Sequence, residues 1–478
     1  MTTFETITVA GLDDDDQATL NRLLQKLEQQ SLRNLLRSSY YDGKRAIRQV
    51  GTVIPPQYFN LGIVLGWSAK AVDALARRCN LDGFVWADGT LDDLGYSEFV
   101  EDNQLLAEMK AAMVSSLVFG PAFLINGVGA EGEPPSLLHV KDALSATGDW
   151  NTRRRTLDNL VSITGRDEDG NLTAVVLYLD GVTMPIERVE GRWVLVDRVE
   201  HNLGVPVEAL VYKPAPWRPF GASRISRTVM SLHDQALRTV VRMEGHADIY
   251  SYPELWLLGA DESIFTQADG SRSAAWQVML GRIKAIPDDD DAAEPRADVK
   301  QFRASSPEPH IMQLKQQAQL FAGETSIPLT SLGVSDQSNP VSADSYVASR
   351  EDLIAEAEGT TDDWSLPIRR ATVRGLQIAN GLDEVPESWR SIAPKWRSPV
   401  YLSKAAEADA GAKQLGAVPW LAETAVGLEL LGLTPQQIES AMAERRRLNG
   451  SASLAAIRRA REAGELVVTG AADRTVQG

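Results

Sequence analysis

The chain has 478 residues, of which 44% are hydrophobic and 24% are charged, a balance typical of a folded globular protein with about two to four domains. That composition excludes a wholly disordered or collagen-like chain, and no apolar stretch reaches the ~18 residues that a membrane helix needs. The 65 acidic residues outnumber the 48 basic ones and give a net charge of −17, so tight binding of DNA over a broad surface is disfavoured.

The N-terminal half begins with helical patterns and continues with strands. Apolar residues recur at helical spacing in residues 17–41, 67–79 and 101–118. The stripe of the first of these helices consists of Leu20, Leu24, Leu27, Ser31, Leu35 and Ser38. Between residues 157 and 212, short β-rich runs alternate with glycine-containing turns, which predicts a meander of mostly antiparallel strands.

A proline-dense linker at 213–221 leads into the most regular helix of the sequence, 223–251, with Ser223 as its predicted N-cap. Its main apolar stripe consists of Ile225, Val229, Leu232, Ala236, Val240 and Met243. Leu237 and Val241 widen that stripe, so we expect the helix to pack on more than one side. The other side carries four arginines, whose simplest interpretation is a solvated polar face: Arg224, Arg227, Arg238 and Arg242.

Two segments of different character follow that helix. Residues 256–306 alternate short apolar pieces with polar loops. Residues 307–324 predict a second helix, which Ile327-Pro328 ends. Its apolar stripe consists of Ile311, Leu314, Ala318 and Phe321.

A polar loop and further helices complete the sequence. The loop at 333–340 precedes a long helical tract at 342–380, which we expect Pro367 to kink. From residue 403 onward the pattern is again helical. Within it, Thr434-Pro435 predicts an N-cap followed by proline at the first helical position.

Motifs for catalysis and metal binding are missing. There is no P-loop, no H-E-x-x-H and no G-x-S-x-G, and the five histidines are widely spaced. Gly127 to Gly132 matches G-x-G-x-x-G, but Pro134-Pro135 follow where that motif needs a helix, which predicts a glycine-rich turn. The single cysteine, Cys79, excludes an intrachain disulfide and favours a reducing compartment. We therefore assign no catalytic residue, no cofactor and no metal.

The order of these elements resembles the portal proteins of tailed bacteriophages, most closely the branch typical of siphophages that infect actinobacteria. The elements follow one another in the same order in this chain and in those portal proteins. That order is a body of helices and strands, a proline-rich linker, a long helix, a small insert, a second helix, a polar loop and a very long helix. Four segments carry the resemblance: Tyr40-Tyr41-Asp42-Gly43-Lys44, Phe220-Gly221-Ala222-Ser223-Arg224-Ile225, Met230-Ser231-Leu232-His233-Asp234 and Asn339 to Ser345. The resemblance covers nearly the whole chain.

The resemblance implies an α+β fold with the parts of a portal subunit. These parts would be a wing at 1–222 and 342–404, stem helices at 223–251 and 307–332, a small α/β clip at 252–306, a tunnel loop at 333–341 and a helical crown at 405–478. In the tunnel loop, the residues expected to approach DNA are Asp336, Gln337, Ser338 and Asn339. The apolar stripe of the first stem helix would pack against the second helix and the neighbouring subunit, and its arginines would pair with acidic residues of that neighbour.

The function implied is a ring, expected to hold twelve identical subunits, at one vertex of the capsid in the virion. The genome would be packaged and ejected through its channel with weak contact to double-stranded DNA, since each neutralised phosphate adds affinity and slows passage. The ring would assemble in the host cytoplasm, contact the major capsid protein, dock the terminase large subunit and later bind a head–tail adaptor. It would be neither an enzyme nor a membrane protein.

Two other classes stay open from the residues alone. One is a head–tail connector or another capsid-associated structural protein that is not the portal. The other is a cytosolic enzyme of unrecognised type, whose pocket of convergent titratable groups would arise only on folding.

Overall fold

The structure is a computed structural model that describes residues 6–44, 62–250, 255–258, 283–286, 298–301, 305–334, 350–401 and 404–462. The chain divides into two compact units, Met1–Pro399 and Val400–Gly478. The helices of the first unit are α1 (Asp14–Tyr41), α2 (Trp67–Ala76), α3 (Tyr96–Asp102), α4 (Leu105–Phe119), α5 (Arg227–Tyr250), α6 (Glu308–Thr325) and α7 (Glu351–Ala379). The second unit contains α8 (Lys404–Ala417), α9 (Ala425–Leu430) and α10 (Pro435–Glu462).

The strands confirm the α+β class and belong to four sheets. Their bounds are β1 (Val9–Ala10), β2 (Leu81–Trp86), β3 (Pro121–Val128), β4 (Ser136–Asp142), β5 (Ala146–Asn151), β6 (Thr156–Arg166), β7 (Leu172–Leu179), β8 (Val182–Val189), β9 (Arg192–Leu195), β10 (Val199–Glu200), β11 (Val207–Val211), β12 (Leu255–Leu258), β13 (Ile283–Ile286), β14 (Asp298–Gln301) and β15 (Ile392–Trp396). The sheet orders are β1-β9-β8-β7-β6-β5 with β10 beside β8, β11-β3-β4, β13-β12-β14 and β15-β2.

The predicted antiparallel meander is confirmed for β6 to β9, which pair in sequence order. The prediction was wrong for residues 207–212, because β11 pairs with β3 in a separate sheet instead of extending the meander. The predicted glycine-rich turn is also confirmed. Residues 129–135 connect the antiparallel strands β3 and β4, and no helix begins there.

Helix α1 covers the large sheet with only its first half. Leu20, Leu24 and Leu27 are buried against that sheet, whereas Leu35 of the predicted stripe is 52% exposed. The prediction failed there because the second half is buried through Tyr40, which lies in another core cluster, and through the polar Asn34, whose amide donates to the Ala143 carbonyl oxygen at 2.9 Å. Apolar periodicity carries no signal for such a contact.

Helix α5 begins at Arg227, four residues after the predicted start. Ser223 is not its N-cap, because the Ser223 hydroxyl donates to the Val118 carbonyl oxygen at 2.5 Å. Ser226 Oγ instead accepts from the Val229 N–H at 3.1 Å, as an N-cap side chain does. The second predicted helix is confirmed by α6, and residues 335–349 of the predicted loop and long helix lie outside the described residues.

Helix α7 runs through Pro367 and ends at Ala379, close to the predicted end. In the second unit, α10 begins at Pro435, as predicted. Thr434 and Gln437 cap it reciprocally, since the Thr434 N–H donates to Gln437 Oε1 and the Gln437 N–H donates to Thr434 Oγ1. In the described part of the chain, no helix combines the length and apolar character needed to cross a membrane.

Candidate functional site

The paired helices α5 and α6 pack against each other and carry the residues expected to form a stem. Four of the six predicted packing residues lie in the largest core cluster together with Ala318 and Phe321 of α6: Ile225, Val229, Leu232 and Ala236. Val240 and Met243 are half-buried. Leu237 and Val241 are buried as well, so α5 packs on more than one side within a single protomer.

The four arginines of the segment expected to form the first stem helix have different surroundings. Arg227 is exposed, and Arg238 and Arg242 are half-buried without an ion-pair partner among the described residues. Arg224 is only 6% exposed and precedes α5. Its placement on a solvated polar face was therefore wrong, because its guanidinium lies in a buried polar cluster.

Arg224 joins four segments just before α5, the helix expected to begin the stem. Its Nε donates to the Ala71 carbonyl oxygen of α2 at 2.6 Å, and its Nη2 donates to the Thr325 carbonyl oxygen of α6 at 2.7 Å. Its Nη1 lies 3.0 Å from the Tyr212 hydroxyl and 2.6 Å from Glu356 Oε1 of α7. We call Arg224, Tyr212, Lys213 and Glu356 the stem-base cluster.

One carboxylate oxygen, Glu356 Oε1, contacts the other three members of this cluster. Glu356 Oε1 accepts from the Tyr212 hydroxyl at 2.5 Å and from Lys213 Nζ at 2.6 Å. Burial disfavours the charged form of Glu356, but the Arg224 charge and the hydrogen bonds from Arg224, Lys213 and Tyr212 outweigh it and lower its pKa to about 2. The ion pair is therefore charged at any physiological pH and fixes where α5 begins relative to α7.

Sequence reasoning missed Tyr212, Lys213 and Glu356. A signal for Glu356 does exist, because it borders the buried stripe of α7 that includes Leu353 and Ala357. A carboxylate at the edge of a buried stripe needs a cationic or hydrogen-bonding partner. The sequence alone does not identify Arg224 as this partner.

Two of the segments that carry the family resemblance meet in the fold. The Tyr40 hydroxyl of α1 donates to Asp234 Oδ2 of α5 at 2.9 Å. The Tyr40 ring stands edge-on to the buried His233 ring, with 5.2 Å between centroids, and His233 Nδ1 shares a 2.9 Å hydrogen bond with Ser68 Oγ of α2. These contacts hold the first turns of α5 against α1 and α2.

The four residues expected to approach DNA, Asp336, Gln337, Ser338 and Asn339, lie outside the described residues. The described chain before them ends in a short 3₁₀ helix, Leu329–Leu332, followed by Gly333 at φ +78° and Val334. This left-handed glycine ends the 3₁₀ helix and starts the segment assigned to the tunnel loop.

The single cysteine is buried, and two of the histidines lie close together. Cys79 is buried, and burial raises the pKa of its thiol to about 12. The rings of His246 and His310 lie 5.5 Å apart across α5 and α6, but no group of three or more potential metal ligands occurs among the described residues.

The family model for phage portal proteins of the SPP1 Gp6-like type matches residues 20–426. The portal protein of Mycobacterium phage L5 is 24% identical over 387 residues, which cover 79% of this chain and 78% of the relative. That of Mycobacterium phage D29 is 25% identical over 397 residues, which cover 81% and 80%.

Among solved structures, a chain from the virion of a native gene transfer agent particle aligns with a TM-score of 0.40 and 16% identity over 84% of this chain and 94% of that one. The family match extends from the second turn of α1 to the start of α9 and includes α5 and α6. It confirms the resemblance drawn from the sequence. The chain belongs to the SPP1 Gp6-like family of phage portal proteins.

Proposed function

We propose that this portal protein assembles into a ring of twelve identical subunits, through whose central channel the phage genome is packaged and later ejected. The observation that carries the proposal is the family match over residues 20–426. In this assignment α5 and α6 form the stem, the sheet β13-β12-β14 belongs to the clip, and the second unit is the crown. The ring occupies the portal vertex of the virion after assembly in the host cytoplasm.

A single copy leaves apolar surface uncovered where a neighbouring subunit would contact it. Leu32, Leu35 and Leu36 follow one another at helical spacing on α1 and are 58%, 52% and 39% exposed. On α6, Ile311 and Met312 are also exposed. Grouped apolar side chains on a surface are typical of protein–protein contacts, and in a ring of identical subunits they become buried.

The negative net charge of the chain suits a channel through which DNA must pass without binding tightly. With a net charge of −17 the ring repels phosphate over most of its surface, and the most buried stem arginine, Arg224, is already paired with Glu356. The tunnel loop with Asp336, Gln337, Ser338 and Asn339 contacts double-stranded DNA only weakly. The chain has no P-loop, so the terminase large subunit supplies the ATP-driven step when it docks on the clip.

Other partners follow from the position of the ring. The wing contacts the major capsid protein, and the clip binds the head–tail adaptor once the terminase has left. The chain itself acts as a structural channel without a catalytic step.

Negative-stain imaging of the purified full-length protein, combined with native mass measurement, tests the ring. We expect particles with a central hole and a mass of about twelve subunits. A homogeneous monomer or dimer at every protein and salt concentration would overturn the proposal. Rings without a through-channel would favour another capsid-associated structural protein.

A further inference from the structure

A cavity of about 410 Å³ lies between α1, the proline-rich linker and the first turn of α5. Four arginines line it, Arg33, Arg37, Arg218 and Arg227, and no carboxylate of the described residues does so. We call this cavity the arginine pocket. One carboxylate touches its rim, since Glu324 accepts a 3.4 Å hydrogen bond from Ser226 Oγ, but it forms no ion pair with these arginines.

The arginine pocket concentrates positive charge that the described residues do not neutralise. Arg37 is fixed at its wall by donating to the Phe119 carbonyl oxygen at 2.6 Å. Burial, together with the charges of Arg33 and Arg218, lowers the pKa of Arg37 to about 10. Arg33, Arg218 and Arg227 are exposed and form no ion pair in the described part of the chain. Such an arrangement favours the binding of an anion.

A segment of opposite character surrounds the short helix α3. Residues 88–102 contain no basic residue. They contain six exposed carboxylates: Asp88, Asp92, Asp93, Glu98, Glu101 and Asp102. Asp88 and Asp92 accept hydrogen bonds from serines, and none of the six forms an ion pair within the described residues. We call residues 88–102 the acidic segment.

The arginine pocket and the acidic segment lie at opposite ends of α4. The acidic segment ends at Asp102, just before α4 begins at Leu105, and Phe119 at the other end of α4 lines the pocket. A helix of this length spans roughly 21 Å. The two surfaces therefore cannot meet within one protomer. Closed rings are built from head-to-tail contacts between two different, complementary surfaces of each subunit.

We propose that the acidic segment of one subunit binds the arginine pocket of the next subunit around the ring. The inference rests on the proposed ring and specifies which two surfaces form its contact. Carboxylates of one copy then neutralise the arginines of another, and each subunit uses both surfaces once. Charge complementarity of this kind selects the register of an interface and speeds its formation.

The surroundings of the pocket favour a protein partner over a DNA phosphate. Arg218 ends a tight turn in which the Arg218 N–H donates to the Ala215 carbonyl oxygen at 2.8 Å and the Ala215 N–H donates back at 3.2 Å. This turn holds Trp217 with 83% of its surface exposed. Tryptophan and arginine are enriched at the energetic centre of protein interfaces, whereas double-stranded DNA offers an exposed tryptophan no free base to stack on.

Charge reversal of exposed residues tests the contact with the full-length protein. One variant carries Arg33→Glu and Arg218→Glu, a second carries Glu98→Arg and Asp102→Arg, and a third carries all four changes. We expect each two-residue variant to lower the ring fraction roughly tenfold or more, because like charges then face each other. The four-residue variant should restore rings, since the signs are complementary again.

A matched control reverses Arg153 and Arg192, which are exposed arginines outside the pocket. It should keep the wild-type ring fraction, and thermal unfolding of all variants as monomers should remain unchanged. If the wild type makes no rings, the proposed function fails. If the wild type makes rings and neither reversal reduces them, the proposed contact fails.

Two further outcomes also overturn the contact. Loss of rings in either two-residue variant without restoration in the four-residue variant would show that the surfaces do not face each other. Intact rings from the Arg33→Glu, Arg218→Glu variant, combined with weaker binding of duplex DNA, would assign the pocket to phosphate instead.

Discussion

Glu356→Gln is the most informative single change in the stem-base cluster. It keeps the shape of the side chain but removes the charge that neutralises Arg224, which is 6% exposed. Removing one partner of a buried ion pair leaves an uncompensated charge and costs about 3–5 kcal/mol. We therefore expect the free energy of unfolding to fall by about that amount at neutral pH.

The pH dependence of the free energy of unfolding gives the size and the sign of the Glu356 contribution independently. The pKa of Glu356 falls from its ordinary value of 4.5 to about 2 on folding, which corresponds to roughly 3 kcal/mol of stabilisation by the ionised form. Because the folded-state pKa is the lower one, this contribution is complete above the unfolded pKa and is lost as the pH falls toward 2. The difference between wild type and Glu356→Gln should thus be constant above about pH 5 and shrink below it.

Urea unfolding of the full-length monomer, followed by tryptophan fluorescence across this pH range, measures both quantities. A double-mutant cycle with Arg224→Met should return a coupling free energy of about 3 kcal/mol. Lys213→Met is the matched control, since the Lys213 side chain is 58% exposed and a surface pair contributes about 1 kcal/mol or less. Additive effects of the Arg224 and Glu356 changes, or a difference independent of pH, would refute the reasoning.

Three other predictions address the stem, the second unit and the tunnel loop. Val229→Asp buries an unpaired carboxylate in the core shared with α6 and should destabilise the protomer by several kcal/mol and abolish rings in micrographs, whereas Val229→Ala should retain them; normal rings from the aspartate variant would remove the stem assignment. Thr434→Ala removes one half of the reciprocal cap of α10 and should cost about 1 kcal/mol, seen as faster amide hydrogen exchange in its first turn and nowhere else. Deleting residues 334–339 should leave ring assembly intact but reduce packaged or retained DNA, and normal packaging would contradict the tunnel-loop assignment.

Local signals in the sequence were sufficient where a helix depends on its own residues. Thr434-Pro435 predicted the start of α10, and the stripe with Ala318 and Phe321 predicted α6 to within one residue at each end. In both cases the deciding residues lie within the helix or directly before it. Proline can begin these helices because its missing N–H would have no partner there.

Local signals failed where distant residues decide the outcome. Ser223 has the chemistry of an N-cap, yet its hydroxyl donates to the Val118 carbonyl oxygen, and the helix begins four residues later. Strand β5 was not predicted, because it contains Gly148 and the polar Asp149. Asp149 is accommodated there by Arg22 of α1 at 2.5 Å, a partner that only folding reveals.

The same limit applies to the candidate site. Arg224 looked like a surface residue because arginine is usually exposed. Its burial depends on Glu356, which lies on α7, after both α5 and α6 in the chain. The family resemblance assigned these segments to parts of a portal subunit, but it did not say which of their side chains are paired.

The stem-base cluster also has a consequence for the order of folding. Its members are separated along the chain by α5 and α6, from Tyr212 to Glu356. During synthesis the N-terminal segments emerge first. The ion pair between Arg224 and Glu356 therefore cannot form until α7 has left the ribosome. Contacts between such distant segments form slowly. A protomer therefore completes its stem base only after nearly the whole first unit exists, and truncated chains cannot present the finished geometry to a growing ring.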